Sequence, residues 1–241
     1  MARRLPPTAK ITAVQRATRI LSTALITAGL VILADAGLTL LWQEPVSAAY
    51  GALQQNRASD ELADLEASFS TAGIDGDIDE EARAKILAKR FQDEIEKGDG
   101  IGRIVIDRIG LDKVLMNGTD TSTLQKGPGR YPQTPLPGEA STTGIAGHRT
   151  TYGAPFRRIN EIRDGDEIRV ELPYAAFTYE VEKHEIVDPS AVQIVDPVGY
   201  ERLVLTACHP LYSAAQRYAV FARLTRVDTF AITGEGEWDV L

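Results

Sequence analysis

The sequence predicts a mainly β domain that closes, or nearly closes, into a barrel of seven to eight strands with short helices. After residue 100, short runs of β-branched and aromatic residues alternate with turn residues. Seven or so such runs fit into roughly 130 residues, a density typical of barrels. A long apolar run and then a polar segment rich in Ala, Glu and Asp precede this region. We therefore expect a barrel that follows a helical stalk and an N-terminal transmembrane helix.

The apolar run, residues 20–42, is 23 residues long, and Asp35 is its one charged member. A helix needs about 20 apolar residues to cross a bilayer. Residues 1–19 carry five basic residues and no acidic one, so the positive-inside rule places them in the cytoplasm and everything after residue 42 outside the cell. A cleaved signal peptide, with residues 47–49 at its cleavage site, is the alternative, and it would export the same domain.

Residues 43–100 are predicted to form an extracellular, polar stalk or appendage. Helix propensity favours helices over Asp60–Phe69 and Ile78–Lys97. The turn cluster Lys97-Gly98-Asp99-Gly100 ends the segment. A domain boundary near residue 100 follows.

The barrel is predicted over residues 101–229, with a loose tail over 230–241. Phe177, Tyr179 and Val181 alternate on one face of the longest run, as one buried side requires. The predicted strands are Arg103–Ile106, Leu111–Met116, Thr143–Gly147, Glu167–Leu172, Ala176–Val187, Leu203–Ala207 and Arg217–Val227. Turn residues such as Asn-Gly separate them.

Composition excludes several classes of function. The formal net charge is −8 and acidic residues are spread along the chain, which argues against nucleic acid as a partner. The single cysteine, Cys208, excludes an internal disulfide and a multi-thiolate zinc site. The three histidines lack the short ligand spacings of zinc sites. We therefore predict neither a metal site nor a cofactor.

Cys208 ends an apolar run just before a His-Pro pair, which places it at a strand end where side chains become accessible. Buried apolar filler, an intermolecular thiol and a nucleophile all remain open for it. A nucleophilic thiol needs a nearby cation or base. His148 is the preferred partner, because it ends a short apolar strand and begins a turn-rich loop; a turn or capping histidine is the alternative. His184 is predicted to be solvated, and His209 to point away from Cys208 as a loop or supporting residue.

Three sequence segments resemble the His, Cys and Arg motifs of the sortase family. Their residues are most similar to those of class E, the actinobacterial housekeeping type. They are Gly-His-Arg-Thr-Thr-Tyr-Gly-Ala-Pro-Phe at 147–156, Leu-Thr-Ala-Cys-His-Pro at 205–210 and Ser-Ala-Ala-Gln-Arg at 213–217. The similarity runs from about residue 101 to residue 227 and includes 127–132 and 137–139. The fold that it implies is a sortase-like β-barrel.

The activity that the resemblance implies is that of a membrane-anchored cysteine transpeptidase. Cys208 would attack the Thr–Gly bond of a Leu-(Pro/Ala)-x-Thr-Gly sorting signal and form a thioester. His148 would act as general acid and base, and Arg217 would donate to the substrate backbone or the developing oxyanion. The implied partners are surface proteins that carry the signal, an amine of a lipid-linked peptidoglycan precursor, and the membrane through residues 20–42.

The resemblance also points to substrate contacts by Tyr131, Thr206, Ala207 and His209. Tyr131 is similar to the residue that class E sortases link to a preference for Ala over Pro at the second position of the signal. The family has Thr directly before the cysteine, where this chain has Ala207. That difference removes a hydrogen-bond donor and bears on substrate positioning or rate.

Other functions stay open at this point. An exported cysteine hydrolase would share the thioester and release the peptide to water, and a pilus-polymerising sortase would use another amine. A membrane-tethered barrel that binds a wall component without catalysis would not need Cys208. The products formed with and without an amine acceptor separate the first possibility from transpeptidation.

Overall fold

The computed structural model describes residues 13–41, 45–74, 78–232 and 238–240. The chain divides into two compact units, residues 1–45 and residues 46–241. Helix α1, Ala13–Leu41, makes up the described part of the first unit apart from residue 45. Its stretch Ala13–Leu38 is long and apolar enough to cross a membrane, a test of length and composition that a signal sequence also passes. The predicted apolar segment lies within α1 up to residue 41, and residue 42 lies outside the described residues.

Two further helices precede the barrel, α2 (Pro45–Ser68) and α3 (Glu80–Glu94). A proline suits the first turn of α2, because its missing N–H would have no partner there. At the start of α3, the Asp79 carboxylate accepts a hydrogen bond from the backbone N–H of Ala82 at 2.7 Å, which satisfies one of the free donors of the first turn. Both predicted helices are present, although α2 begins well before residue 60.

The sheet contains nine strands among the described residues. Their bounds are β1 Gly100–Ile106, β2 Leu111–Asn117, β3 Gly129–Arg130, β4 Thr142–Ala146, β5 Glu167–Leu172, β6 Ala175–Val187, β7 Arg202–His209, β8 Gln216–Ile232 and β9 Trp238–Val240. The spatial order is β6-β5-β1-β2-β3-β4-β7-β8-β9, and β6 also pairs with β8. This extra pairing closes β1 to β8 into a barrel, which leaves no free edge among them. The predicted fold class is confirmed.

Two strands differ from the sequence prediction. β3 has two residues, too few to carry an alternating pattern, and it was not predicted. β9 pairs antiparallel with the end of β8, from Phe230↔Val240 to Ile232↔Trp238, where we predicted a loose tail. Aromatic and β-branched residues on both segments favour strands, which explains the hairpin.

The core of the second unit is shared by the barrel and the helices before it. Phe69 of the segment after α2 and Phe91 of α3 stack edge to face, with ring centroids 5.1 Å apart. Phe91 also lies 5.6 Å from the ring of Tyr174, between β5 and β6. All three side chains are essentially fully buried. The segment after α2 and helix α3 thus pack on the barrel, and the predicted stalk or appendage over residues 43–100 and the domain boundary near residue 100 stay predictions.

Candidate active site

Strands β4 and β7 run parallel and bring their carboxyl ends to the same end of the barrel. Their register runs from Thr142↔Arg202 to Ala146↔Thr206. One residue later, the backbone N–H of Gly147 still donates to the carbonyl of Thr206 at 3.0 Å. His148 lies two residues after Ala146, and Cys208 lies two residues after Thr206, the last pair of this ladder.

Strands β7 and β8 form an antiparallel hairpin in which Cys208 lies opposite Arg217 and His209 opposite Gln216. The three residues predicted as the catalytic set are Cys208 on β7, Arg217 on β8 and His148 in the loop two residues after the end of β4. Cys208 and Arg217 are both partly exposed, as groups that meet a ligand must be. Their catalytic roles stay predictions.

The Arg217 guanidinium is held by the turn that precedes it. Its Nη1 donates to the carbonyls of Ala214 at 2.9 Å and Gln216 at 3.0 Å. Within the described part of the chain, no hydrogen bond involves its Nε or Nη2. The two bonds hold one nitrogen of a permanently charged guanidinium in place.

His148 is partly buried. Its Nε2 is buried and has no hydrogen-bond partner among the described residues. The ring of Tyr152 lies against it, with centroids 5.2 Å apart. Burial lowers the pKa of His148 from its ordinary value of 6.5, because the charged imidazolium loses hydration that nothing nearby replaces. The imidazole is therefore mostly neutral at pH 7.

Helix α2 supports the loop that follows His148, through contacts that sequence analysis did not find. The backbone N–H of Tyr152 donates to Ser47 Oγ at 3.1 Å, and the Tyr152 hydroxyl accepts from Gln125 Nε2 at 3.1 Å. Gly51 packs so closely that a Cβ atom there would lie 2.8 Å from the Tyr152 carbonyl carbon. The glycine itself was the available signal, because glycine inside a helix costs about 0.5–1 kcal/mol relative to Ala.

Tyr131 and Thr206, two of the predicted substrate contacts, meet through a 2.8 Å bond between their hydroxyl oxygens. Gly144 makes room for the tyrosine ring, since a Cβ there would lie 2.5 Å from its Cδ2. Ala207 is 3% exposed and belongs to the apolar core. Its placement gives no support to a substrate contact, which stays a prediction.

His209 and His184 occupy different surroundings. His209 Nδ1 lies 3.1 Å from Nη1 of Arg149, and its predicted contact with substrate stays a prediction. His184 is not the solvated residue that we predicted: its side chain is 21% exposed and its Nδ1 lies 3.2 Å from an oxygen of Asp164. The ring of Tyr218 lies beside that of His184, with centroids 5.9 Å apart.

Arg149 is buried beside these residues, and the sequence analysis predicted no role for it. It is 5% exposed and lies between the ends of β4 and β7. Among the described residues, no three His, Cys, Asp or Glu side chains come together as metal ligands. The arrangement as a whole offers a thiol, a neutral imidazole and a guanidinium at one end of the barrel, the groups needed for acyl transfer through a thioester.

Comparison with known proteins gives a family match that covers this region. Residues 104–225 match the model of the Sortase domain family. Sortase D of Bacillus subtilis (strain 168) is 35% identical over 132 residues, which are 53% of this chain and 65% of that protein. Sortase SrtE1 of Streptomyces coelicolor is 30% identical over 152 residues, which are 56% of this chain and 43% of that protein. The matches thus span less than two thirds of either relative.

A solved structure agrees with these matches. The structure of a Clostridium perfringens Sortase D5 transpeptidase has a TM-score of 0.58 and 26% identity, and the match covers 72% of this chain and 99% of that chain. The resemblance predicted from the three motifs is confirmed, and it extends to sortases named for class D as well as class E.

Proposed function

Since the chain belongs to the sortase family, whose model matches about half of it, we propose that it is a membrane-anchored cysteine transpeptidase. Its substrates are surface proteins with a Leu-(Pro/Ala)-x-Thr-Gly sorting signal, which it cleaves between Thr and Gly. The acceptor is an amine of a lipid-linked peptidoglycan precursor. The first helix serves as the anchor, with the amino terminus in the cytoplasm and the barrel outside the cell.

One observation supports this function above the others. Cys208 lies directly opposite Arg217 across β7 and β8, and β4, which pairs with β7 up to Ala146↔Thr206, is followed two residues later by His148. A thiol between an imidazole and a guanidinium is suited to nucleophilic attack on a peptide carbonyl. Cys208 is partly exposed near a strand end, which argues against a role as a buried core residue.

The reaction then proceeds in two acyl transfers. The Cys208 thiolate attacks the carbonyl carbon of the Thr–Gly bond, while Arg217 donates to the oxygen that gains negative charge. The C–N bond breaks as His148, in its protonated form, gives a proton to the departing glycine amine. A thioester between the sulfur and the threonine carbonyl remains.

In the second transfer, neutral His148 takes a proton from the acceptor amine as the nitrogen attacks the thioester carbonyl. The C–S bond breaks, the Cys208 thiolate leaves, and a new peptide bond joins the surface protein to the wall precursor. Burial of His148, which lowers its pKa, favours this base step at neutral pH.

The test uses the full chain in detergent micelles with peptides that carry Pro or Ala at the second position. We expect a thioester adduct on Cys208 by mass spectrometry, and a ligated product that requires an added amine. The single cysteine of the chain makes the assignment of the adduct unambiguous. Cys208→Ala should abolish both species while the far-ultraviolet circular dichroism spectrum stays unchanged.

Two results would contradict the proposal. Hydrolysis alone under saturating amine would assign the chain to the exported cysteine hydrolases. Absence of both the thioester and the ligated product in the wild type would favour a barrel that binds a wall component without covalent chemistry. Replacement of the amine by a pilin-derived lysine peptide tests the remaining alternative, polymerisation of pili.

A further inference from the structure

Arg149 follows His148 in sequence and is buried in a place where a charged side chain is rare. It is 5% exposed, and arginine is almost never that buried unless its donors are satisfied. Its Nη1 donates to the backbone carbonyl of Cys208 at 3.2 Å, and its Nη2 donates to Asn160 Oδ1 at 2.7 Å. The same Nη1 lies 3.1 Å from Nδ1 of His209. The guanidinium is thus bonded to the strand that carries the thiol.

These bonds begin where the sheet pairing stops. The pairs of β4 and β7 end at Ala146↔Thr206, and the last backbone bond between the two segments that continues this ladder is from Gly147 to Thr206. His148 and Cys208 both lie beyond that point. The Arg149 side chain crosses the same gap and ties the residue after His148 to the carbonyl of Cys208.

The Arg149 guanidinium also lies near Tyr218, close to the start of β8. The Arg149 Cζ is 5.8 Å from the ring centroid of Tyr218, and the ring of His209 lies 5.9 Å from that of Tyr218. Tyr218 directly follows Arg217 on β8. A planar guanidinium with five donors can hold several partners at fixed angles, which the point charge of a lysine cannot do.

We propose that Arg149 is a positioning residue that holds His148 and Cys208 in register for acyl transfer, with Asn160 orienting its guanidinium. The inference rests on the proposed transpeptidase function. Arg149 does not meet the substrate: it acts through the backbone of Cys208 and through His209.

The contact with His209 has a spectroscopic consequence. A guanidinium has donors and no acceptor, so Nδ1 of His209 must accept the hydrogen bond, and a neutral ring then carries its proton on Nε2. His209 is therefore held as the Nε2–H tautomer while Arg149 is in place. Loss of the guanidinium releases that constraint.

The kinetic test compares Arg149→Lys with wild type in the full chain, in micelles, with the peptide and amine that wild type ligates. Because a displacement of about 1 Å between reacting groups can cost about a hundredfold in rate, we expect kcat to fall about tenfold to a hundredfold while KM stays within about twofold. Asn160→Ala should lower kcat in the same direction by a smaller factor. Arg158→Lys is the matched control, since the exposed Arg158 pairs with Glu161 at 2.7 Å on the surface, and its kinetics should equal those of wild type.

The second measurement does not depend on activity. Nitrogen-15 spectra of the labelled histidine rings should show the Nε2–H tautomer of His209 in wild type and in Arg158→Lys, and a mixture of tautomers in Arg149→Lys. Absence of any thioester in wild type would remove the proposed function and leave this spectral test standing. An unchanged kcat in a folded Arg149→Lys variant, or a wild-type His209 with its proton on Nδ1, would overturn the role of Arg149.

Discussion

Cys208 and Arg217 lie opposite each other on β7 and β8, nine residues apart in sequence. The connection between them reverses the direction of the chain. The carbonyls of Ala214 and Gln216 accept hydrogen bonds from Arg217 Nη1. The two side chains are thus placed by a single hairpin. His148, which follows β4, comes from a distant part of the sequence.

Arg217 should be needed for the rate of acyl transfer. Removal of one preorganised oxyanion donor costs roughly a hundredfold to a thousandfold in kcat, so we expect Arg217→Ala to lower kcat by about that factor. Arg217→Lys should restore part of kcat, because lysine keeps the positive charge but lacks the planar set of N–H donors of arginine. Steady-state ligation kinetics measure the effect.

Arg223 provides a control for this variant on the same strand. It is exposed and pairs with Glu182 at 2.7 Å. Exposed pairs contribute about 0–1 kcal/mol, so Arg223→Ala should leave kcat unchanged. Equal losses in the two variants would mean that β8 tolerates no change of charge, and the specific role of Arg217 would be refuted.

Tyr152 should control the pKa of His148. Tyr152→Ala removes the ring that lies 5.2 Å from the imidazole and admits water, so the pKa of His148 should rise toward 6.5. Tyr152→Phe keeps the ring and should keep the lowered value. The Hε1 chemical shift of His148, followed against pH in the full chain, reports the change.

The sign of the stability effect follows from the same shift. A histidine whose folded pKa lies below the unfolded value of 6.5 stabilises the fold above that value and destabilises it as pH falls toward the folded pKa. Wild type should therefore lose more stability than Tyr152→Ala as the pH falls below about 6.5. Identical pH profiles of wild type and Tyr152→Ala would show that Tyr152 does not set the pKa of His148.

Tyr131 should affect the choice between substrates. Tyr131→Phe removes the 2.8 Å bond to Thr206, and a net hydrogen bond is worth about 1 kcal/mol, or about a fivefold change. We expect the ratio of kcat/KM for the Ala peptide over the Pro peptide to fall by about this factor. Gly144→Ala, which forces the ring to move, should reduce the ratio further.

A surface tyrosine serves as the control for Tyr131. Tyr200 donates to Glu182 at 3.1 Å in an exposed position, and Tyr200→Phe should leave the ratio unchanged. An unaltered ratio in both Tyr131→Phe and Gly144→Ala would assign the preference to residues elsewhere.

Phe91 should be essential to the stability of the second unit. It is fully buried and packs on Phe69 and Tyr174. A Phe→Ala change in a core costs about 3–5 kcal/mol, so we expect Tm of the full chain to fall by roughly 10 °C. Ile86→Ala on the same helix, at a side chain that is 47% exposed, should shift Tm by no more than about 2 °C. Equal Tm values for wild type and Phe91→Ala would mean that α3 unfolds apart from the barrel.

Local sequence patterns were sufficient for most of the fold. The alternation of Phe177, Tyr179 and Val181 predicted β6, and the run from Glu167 to Leu172 has the bounds of β5, because one-sided burial imposes a period of two residues on a strand. β3 could not be found in this way, since two residues do not define a period. The pairing of β9 with β8 depends on a contact outside the pattern of either strand.

The sequence by itself determined the mainly β class, the order of the predicted strands, the apolar helix at the amino terminus and the choice of His148, Cys208 and Arg217 as candidates. The tertiary structure decided which groups meet. The burial of Arg149 against Cys208, the support of Tyr152 by α2 and the packing of α3 on the barrel all join segments that are distant in sequence. Local periodicity describes which face of an element is apolar, whereas the partner of that face, and the desolvation of a group such as His148, depend on how the whole chain packs.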